Sequence, residues 1–207
     1  MRFVTMSDVK DDEGGVVVEE REKKTTRRRP GGPTTSGEVV EVVVYTDGAC
    51  TNNGSKHAEG GIGVFFGDGD PRNVSRRIRP SAEVPGITNQ SMELVACKTA
   101  VLRWLQQRRD DTTTADVLCV RTDSEYVVKS MTVWAKRWEK DGWKGRNGRP
   151  VSNLGLMRDL YAMRKRHGVR FEHVPAHRAA PPRDSDAYPS WYGNMKADEL
   201  ARGGARK

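Results

Sequence analysis

The 207-residue chain has no long hydrophobic run: no stretch approaches the roughly 18 consecutive apolar residues of a membrane-spanning helix, so no membrane partner is expected. Cysteine is scarce. Cys50, Cys97 and Cys119 are odd in number and far apart, which excludes a disulfide framework and a CxxC metal site, and a reducing, intracellular setting follows. The opening MRFVTMSDVKDDEGG lacks the apolar core of a secretory signal. No internal repeat is evident. The length fits one domain with room for additions.

Charge is present, and it is unevenly placed. Residues 1–38 hold eight Lys/Arg and eight Asp/Glu, so the whole excess of +8 lies in the remaining 169 residues. Such an excess is either an ordinary solvated surface or the mark of a polyanionic partner, most often nucleic acid. Residues 1–38, with TTRRRPGGPTTSG, read as a flexible charged tail that cannot form a packed core. Lys23, Lys24 and Arg27, Arg28 and Arg29 fit either a solvated linker or an import signal. The import reading makes the nucleus the expected compartment in preference to the mitochondrion.

Order is expected from residue 39. EVVEVVVYTD is a β-branched run suited to a strand covered on both faces. GGIGVFFGD and VSRRIRP, punctuated by glycines, read as antiparallel strands. Residues 89–108 read as an amphipathic helix with Met92, Val95, Ala96, Thr99 and Leu102 on its apolar side. VLCVRTD (117–123) is a strand, SEYVVKSMTVWAKRW one helix or two short ones, and 154–167 a helix closed by Gly168. VRFEHVPAH reads as a strand, RAAPPRDSDAYPSWYG as a loop and NMKADELARGGA as the last helix. This order predicts an α/β domain with a mixed sheet and helices packed on it.

Four acids stand in apolar surroundings, where an unpaired carboxylate is costly. Asp47 and Asp123 end strands, where ligands of open α/β sheets collect. Glu93 lies one turn into a helix, and Asp198 lies in the last helix. Oxygen ligands without a His/Cys cluster favour Mg²⁺ or Mn²⁺. Such a set can hold two ions about 3.5–4 Å apart for an in-line phosphoryl displacement. Taken singly, each acid has a plainer role: Asp123 as a helix cap, Asp47 as a turn residue, Glu93 as surface, Asp198 as an Arg partner.

VVVYTDGAC, TNQSMELVACKTA, VRTDSEYV, HVPAH and GNMKADELA together resemble, in order and spacing, the type 1 ribonuclease H family. The similarity covers residues 39–207 and is nearest the eukaryotic catalytic domain. It implies a ribonuclease H-like fold, a five-stranded mixed sheet with helices on both faces. It also implies an endonuclease that hydrolyses the RNA strand of RNA–DNA hybrids, with two Mg²⁺ ions as cofactor. Asp47, Glu93, Asp123 and Asp198 match the metal-binding carboxylates. His177 matches the loop histidine that assists proton transfer or product release. Ala176 stands where that loop usually has Gly, and Met195 where Glu usually follows Gly-Asn.

The resemblance also implies how a hybrid is read. Cys50, Asn52, Asn53, Asn89 and Gln90 match positions that contact the RNA strand, whose 2′-hydroxyls distinguish it. Residues 129–149 hold seven Lys/Arg against two acids, and three of the five tryptophans: Trp134, Trp138 and Trp143. This basic Trp-rich protrusion suits a nucleic-acid backbone with stacked rings. Trp134, Trp138 and Tyr126 match a DNA-strand channel, and Thr88 and Asn153 positions that hold a DNA phosphate. Gly86 replaces a frequent Arg, which implies either a weaker grip on the phosphate or a charge supplied by Arg79 or Arg149. Residues 178–192 form an inserted loop. The tail is too short for the family's N-terminal hybrid-binding module, which predicts low processivity. A monomer acting on replication primers or R-loops is the expected form. A catalytically idle binding module, or a same-fold nuclease with another substrate, are the alternatives.

Overall fold

The computed structural model describes residues 40–110, 116–176 and 178–207. The tail reading of 1–38, its import signal and His177 lie outside the described residues. Strands β1 (Val40–Thr51), β2 (Glu59–Phe65) and β3 (Val74–Ile78) precede helix α1 (Asn89–Asp110) and strand β4 (Asp116–Thr122). Helices α2 (Glu125–Lys129) and α3 (Ala135–Lys140) are joined through a π-helical turn, Ser130–Trp134. Helix α4 (Leu154–His167), strand β5 (Arg170–His173) and helix α5 (Tyr188–Ala205) complete the order.

The five strands form one mixed sheet, β3-β2-β1-β4-β5. β1 pairs antiparallel with β2 and parallel with β4, and β4 is parallel to β5. The central position of β1 explains its Val-rich sequence, because both sheet faces above it are covered. α1 lies on one face with α4 behind it, and α5 covers the other. Side chains alternate along β1. Val44 joins the α1-side core with Ile62, Leu94, Val101 and Trp104, while Tyr45 packs with Phe65 and Ala197 beneath α5.

The closest approach of α5 to the sheet is set by Gly63. A Cβ there would overlap the backbone carbonyl of Ala197, so a small residue is a steric requirement of this packing.

Three expectations shift. The buried stripe of α1 runs through Met92, Val95, Ala96, Thr99, Ala100 and Trp104, whereas Leu102 is 46% exposed. The strand expected from VRFEHVPAH stops at His173, before Val174-Pro175. The inserted segment 178–192 is not loop throughout, since α5 begins at Tyr188. Pro189 occupies the first turn of that helix, where its missing N–H costs nothing. Tyr188 and Tyr192, one turn apart, stack at 6.0 Å, and Tyr192 meets Phe65 edge-on.

Candidate active site

β1 and β4 run parallel in register, Tyr45 opposite Arg121. Asp47 and Asp123, each two residues further on, are therefore brought side by side; Asp47 does not end its strand but lies within β1, whereas Asp123 follows the last residue of β4. Glu93 reaches them from the first turn of α1, which can come so close because residue 48 is glycine: a Cβ there would overlap the Glu93 backbone nitrogen. One carboxylate oxygen from each of Asp47, Glu93 and Asp123 lies within 4.8 Å of the other two.

Burial and mutual repulsion dominate the electrostatics. Asp47 is 9% exposed, and burial, then the Asp123 charge, push its pKa up. Burial, then the charges of Asp47 and Asp123, hold Glu93 well above the ordinary carboxylate range. Asp47 and Glu93 hydrogen-bond to each other, and the Gly48 N–H donates to Asp47 Oδ1 at 2.8 Å. Asn194 Nδ2 of α5 donates to Asp123 Oδ2 at 3.2 Å, and Thr122 Oγ1 lies 3.5 Å from Glu93 Oε2. Three gathered acids without a cation among them favour a retained proton; a divalent ion would displace it and restore the charged forms.

The donor set fits a hard cation. Oxygens around an octahedral Mg²⁺ at about 2.1 Å stand about 3–4 Å apart, so closing this cluster on an ion needs only small side-chain adjustments. Asp198 is not in the gathered set. Its carboxylate pairs with Arg202, one turn along α5. The capping role open to Asp123 falls to Ser124, whose side chain accepts from Val127 N.

The residues expected to read the RNA strand come together on one side. Asn52, in a left-handed turn, and Asn53 follow β1 and are exposed. Cys50 Sγ donates to the Ile87 carbonyl at 3.8 Å, joining this turn to the start of α1. Asn89 and Gln90 there are exposed. Thr88, not Asn89, caps α1: its Oγ1 accepts from Ser91 N at 3.1 Å, while Ser91 Oγ accepts from Thr88 N at 2.9 Å.

A groove of about 440 Å³ begins beside Gln90 and continues along Tyr126, Trp134, Trp138, Arg146 and Asn147. Tyr126 and Trp134 have ring centres 6.4 Å apart, and Trp134 and Trp138 5.7 Å. The Tyr126 side chain hydrogen-bonds Asn153, which takes a left-handed conformation before α4. Trp143 leaves this set and packs edge-on against Tyr161. Arg79, Gly86 and Arg149 are exposed. His173 Nε2 lies 3.2 Å from the Asp123 carbonyl oxygen, a backbone contact that fits a structural role.

Asn194, Thr122 and Arg202 were not singled out from sequence. The four-residue spacing of Asn194 and Arg202 on either side of Asp198, on one helix, was the available signal.

A mixed α/β sheet whose two central parallel strands bring Asp47 and Asp123 together with Glu93 defines a domain with a carboxylate cluster that could bind a metal ion, next to an aromatic groove. The RNase H family profile matches residues 40–206, and the chain belongs to that family. It is 37% identical over 163 residues to Ribonuclease H of Schizosaccharomyces pombe, covering 79% of this chain and 52% of that protein. To Ribonuclease H1 of Homo sapiens it is 35% identical over 167 residues, covering 80% and 50%. The chain thus spans about half the length of these curated relatives. Among solved structures, LC9-RNase H1, a type 1 RNase H with the type 2 active-site motif, superposes with a TM-score of 0.54 at 28% identity, over 81% of this chain and 73% of that one.

Proposed function

We propose that this protein is an endoribonuclease that hydrolyses the RNA strand of RNA–DNA hybrids with divalent metal ions, Mg²⁺ before Mn²⁺, held by its carboxylates. The observation that carries this reading is the meeting of Asp47, Glu93 and Asp123 within ligand distance of one another, next to the groove lined by Tyr126, Trp134 and Trp138. The names of the relatives supply the reaction class.

In this reading Asp47, Glu93 and Asp123 are the metal ligands, with Asp198 as the fourth. Two ions so held would activate the attacking water and stabilise the leaving oxygen. The protein's part is to place the hybrid. Cys50, Asn52, Asn53, Asn89 and Gln90 face the RNA strand and test for its 2′-hydroxyls. Tyr126, Trp134 and Trp138 take the DNA strand against their rings, and Thr88 and Asn153 hold a DNA phosphate. Gly48 and Asn194 keep Asp47 and Asp123 oriented. His177, by its match to the family's loop histidine, would assist proton transfer or product release.

Labelled RNA–DNA hybrid, duplex DNA and duplex RNA are compared in Mg²⁺ and in Mn²⁺. Cleavage of the hybrid alone is expected, and Asp47→Asn abolishes it while leaving hybrid binding largely intact. Undiminished cleavage by Asp47→Asn would end the metal-site assignment. A wild-type protein that binds the hybrid but does not cut it in either metal would make it a binding module.

A further inference from the structure

Asp47 lies two residues beyond Tyr45 on β1 and so shares the sheet face covered by α5. The same helix presents Asn194 to Asp123 and carries Asp198 one turn later. Asp198 is largely buried, its side chain 19% exposed, yet its carboxylate is satisfied by Arg202 from the next turn. Arg202 is close enough to act on Asp47 as well, where its charge favours the ionised carboxylate. One guanidinium thus serves two of the four acids, while among the described residues only Asp47, Glu93 and Asp123 lie within ligand distance of one another.

We propose that Arg202 is a resident counter-cation of the carboxylate site: it holds Asp198 while the site is short of metal and must release it when the weaker-binding divalent ion arrives. The proposal rests on the active-site reading above. Guanidinium cannot lose its proton in a protein, so Arg202 can vacate only by swinging away. The geometry allows it, because the Arg202 side chain is 56% exposed and reaches water by rotating outward. The pair is open to water on its Arg202 side, and an ion pair screened in this way between residues four apart on a helix can yield to a divalent cation. Arg202 is therefore a positioning residue that sets the threshold for full metal occupancy and touches no reacting atom. Because coupling between two bound cations is reciprocal, whatever Arg202 costs the ion, the ion costs the Arg202–Asp198 pair.

The test is metal titration of the full chain, by calorimetry with Mg²⁺ and by spin resonance with Mn²⁺, for wild type, Arg202→Gln, Arg202→Lys and Asp47→Asn. Arg202→Gln is expected to bind the weaker ion at least about fivefold more tightly, the lower range of measured site-to-site couplings. Arg202→Lys keeps a cation within reach of Asp198 and stays near wild type. In parallel melting scans, Arg202→Gln without metal melts below wild type and gains more from added Mg²⁺. Equal or weaker metal affinity in Arg202→Gln, with wild type binding normally, overturns the counter-cation role and leaves the active-site reading standing. Metal binding that survives unchanged in Asp47→Asn strikes at the active-site reading instead.

Discussion

Replacing Glu93 by Gln should stabilise the metal-free protein at neutral pH and destroy its response to metal. Glu93 and Asp47 both hold their protons to higher pH when folded than when unfolded. Between the unfolded values, about 4 to 4.5, and the raised folded ones, the native state therefore binds more protons. Its stability from these two groups falls as pH rises through that window and is flat above it. Removing one acid relieves the charge repulsion in the folded site, so stability at pH 8 should rise. For a chain of this size 1 kcal/mol moves the melting temperature by about 2–4 °C. Asp70 and Glu172, held below the usual range, Asp70 chiefly by its bond to Arg72 and Glu172 by Arg121, tilt the pH profile the other way in both proteins. The difference between wild type and variant isolates the site. The assay is a melting series from pH 4.5 to 8.5, with chelator and with Mg²⁺. Wild type should gain from Mg²⁺ at pH 8 and lose that gain on acidification, whereas Glu93→Gln should melt higher in chelator and gain little from the metal. Parallel pH profiles for the two proteins in chelator would refute the repulsion on which the reasoning rests.

Trp134→Ala should weaken hybrid binding by about 1–3 kcal/mol, the usual value of one stacking ring, measured by fluorescence anisotropy. Its effect on urea unfolding should be small, because Trp134 is already 37% exposed. Gly63→Ala should cost about 1–3 kcal/mol or more in the same unfolding assay, since the added methyl meets the fixed Ala197 carbonyl rather than a side chain that can turn aside.

Much of the fold was legible because one periodicity decided each element. The unbroken β-branched run of β1 announces burial on both faces, and its position between β2 and β4 supplies it. Asp47 and Asp123 were readable as a pair because each ends such a run. Where two signals competed, sequence reading failed. The prolines of 178–192 suggest loop, yet Pro189 is tolerated in a first helical turn and the aromatic residues around it find partners in Phe65 and one another. Thr88, read only as a phosphate contact, also caps α1, because Thr88 and Ser91 satisfy each other's backbone N–H groups. The tail and His177 lie outside the described residues and remain readings of sequence and resemblance.

The difference between three gathered acids and four follows from how each is held. Asp47 and Asp123 are fixed by strand register, and Glu93 by a helix pressed against Gly48, so their separation depends on backbone geometry that pattern can predict. Asp198 stands on a helix face where it pairs with Arg202, and in the proposed role of that residue a metal ion from solution would compete for the same carboxylate. Motif spacing places its Cα but says nothing about which cation its carboxylate meets. That choice is an equilibrium set by ion concentration and by the ease with which an exposed guanidinium can leave. A site assembled in this way is partly preorganised. Three carboxylates are gathered at an electrostatic cost that a cation would remove, and in the proposed reading the fourth would join at the expense of its ion pair with Arg202.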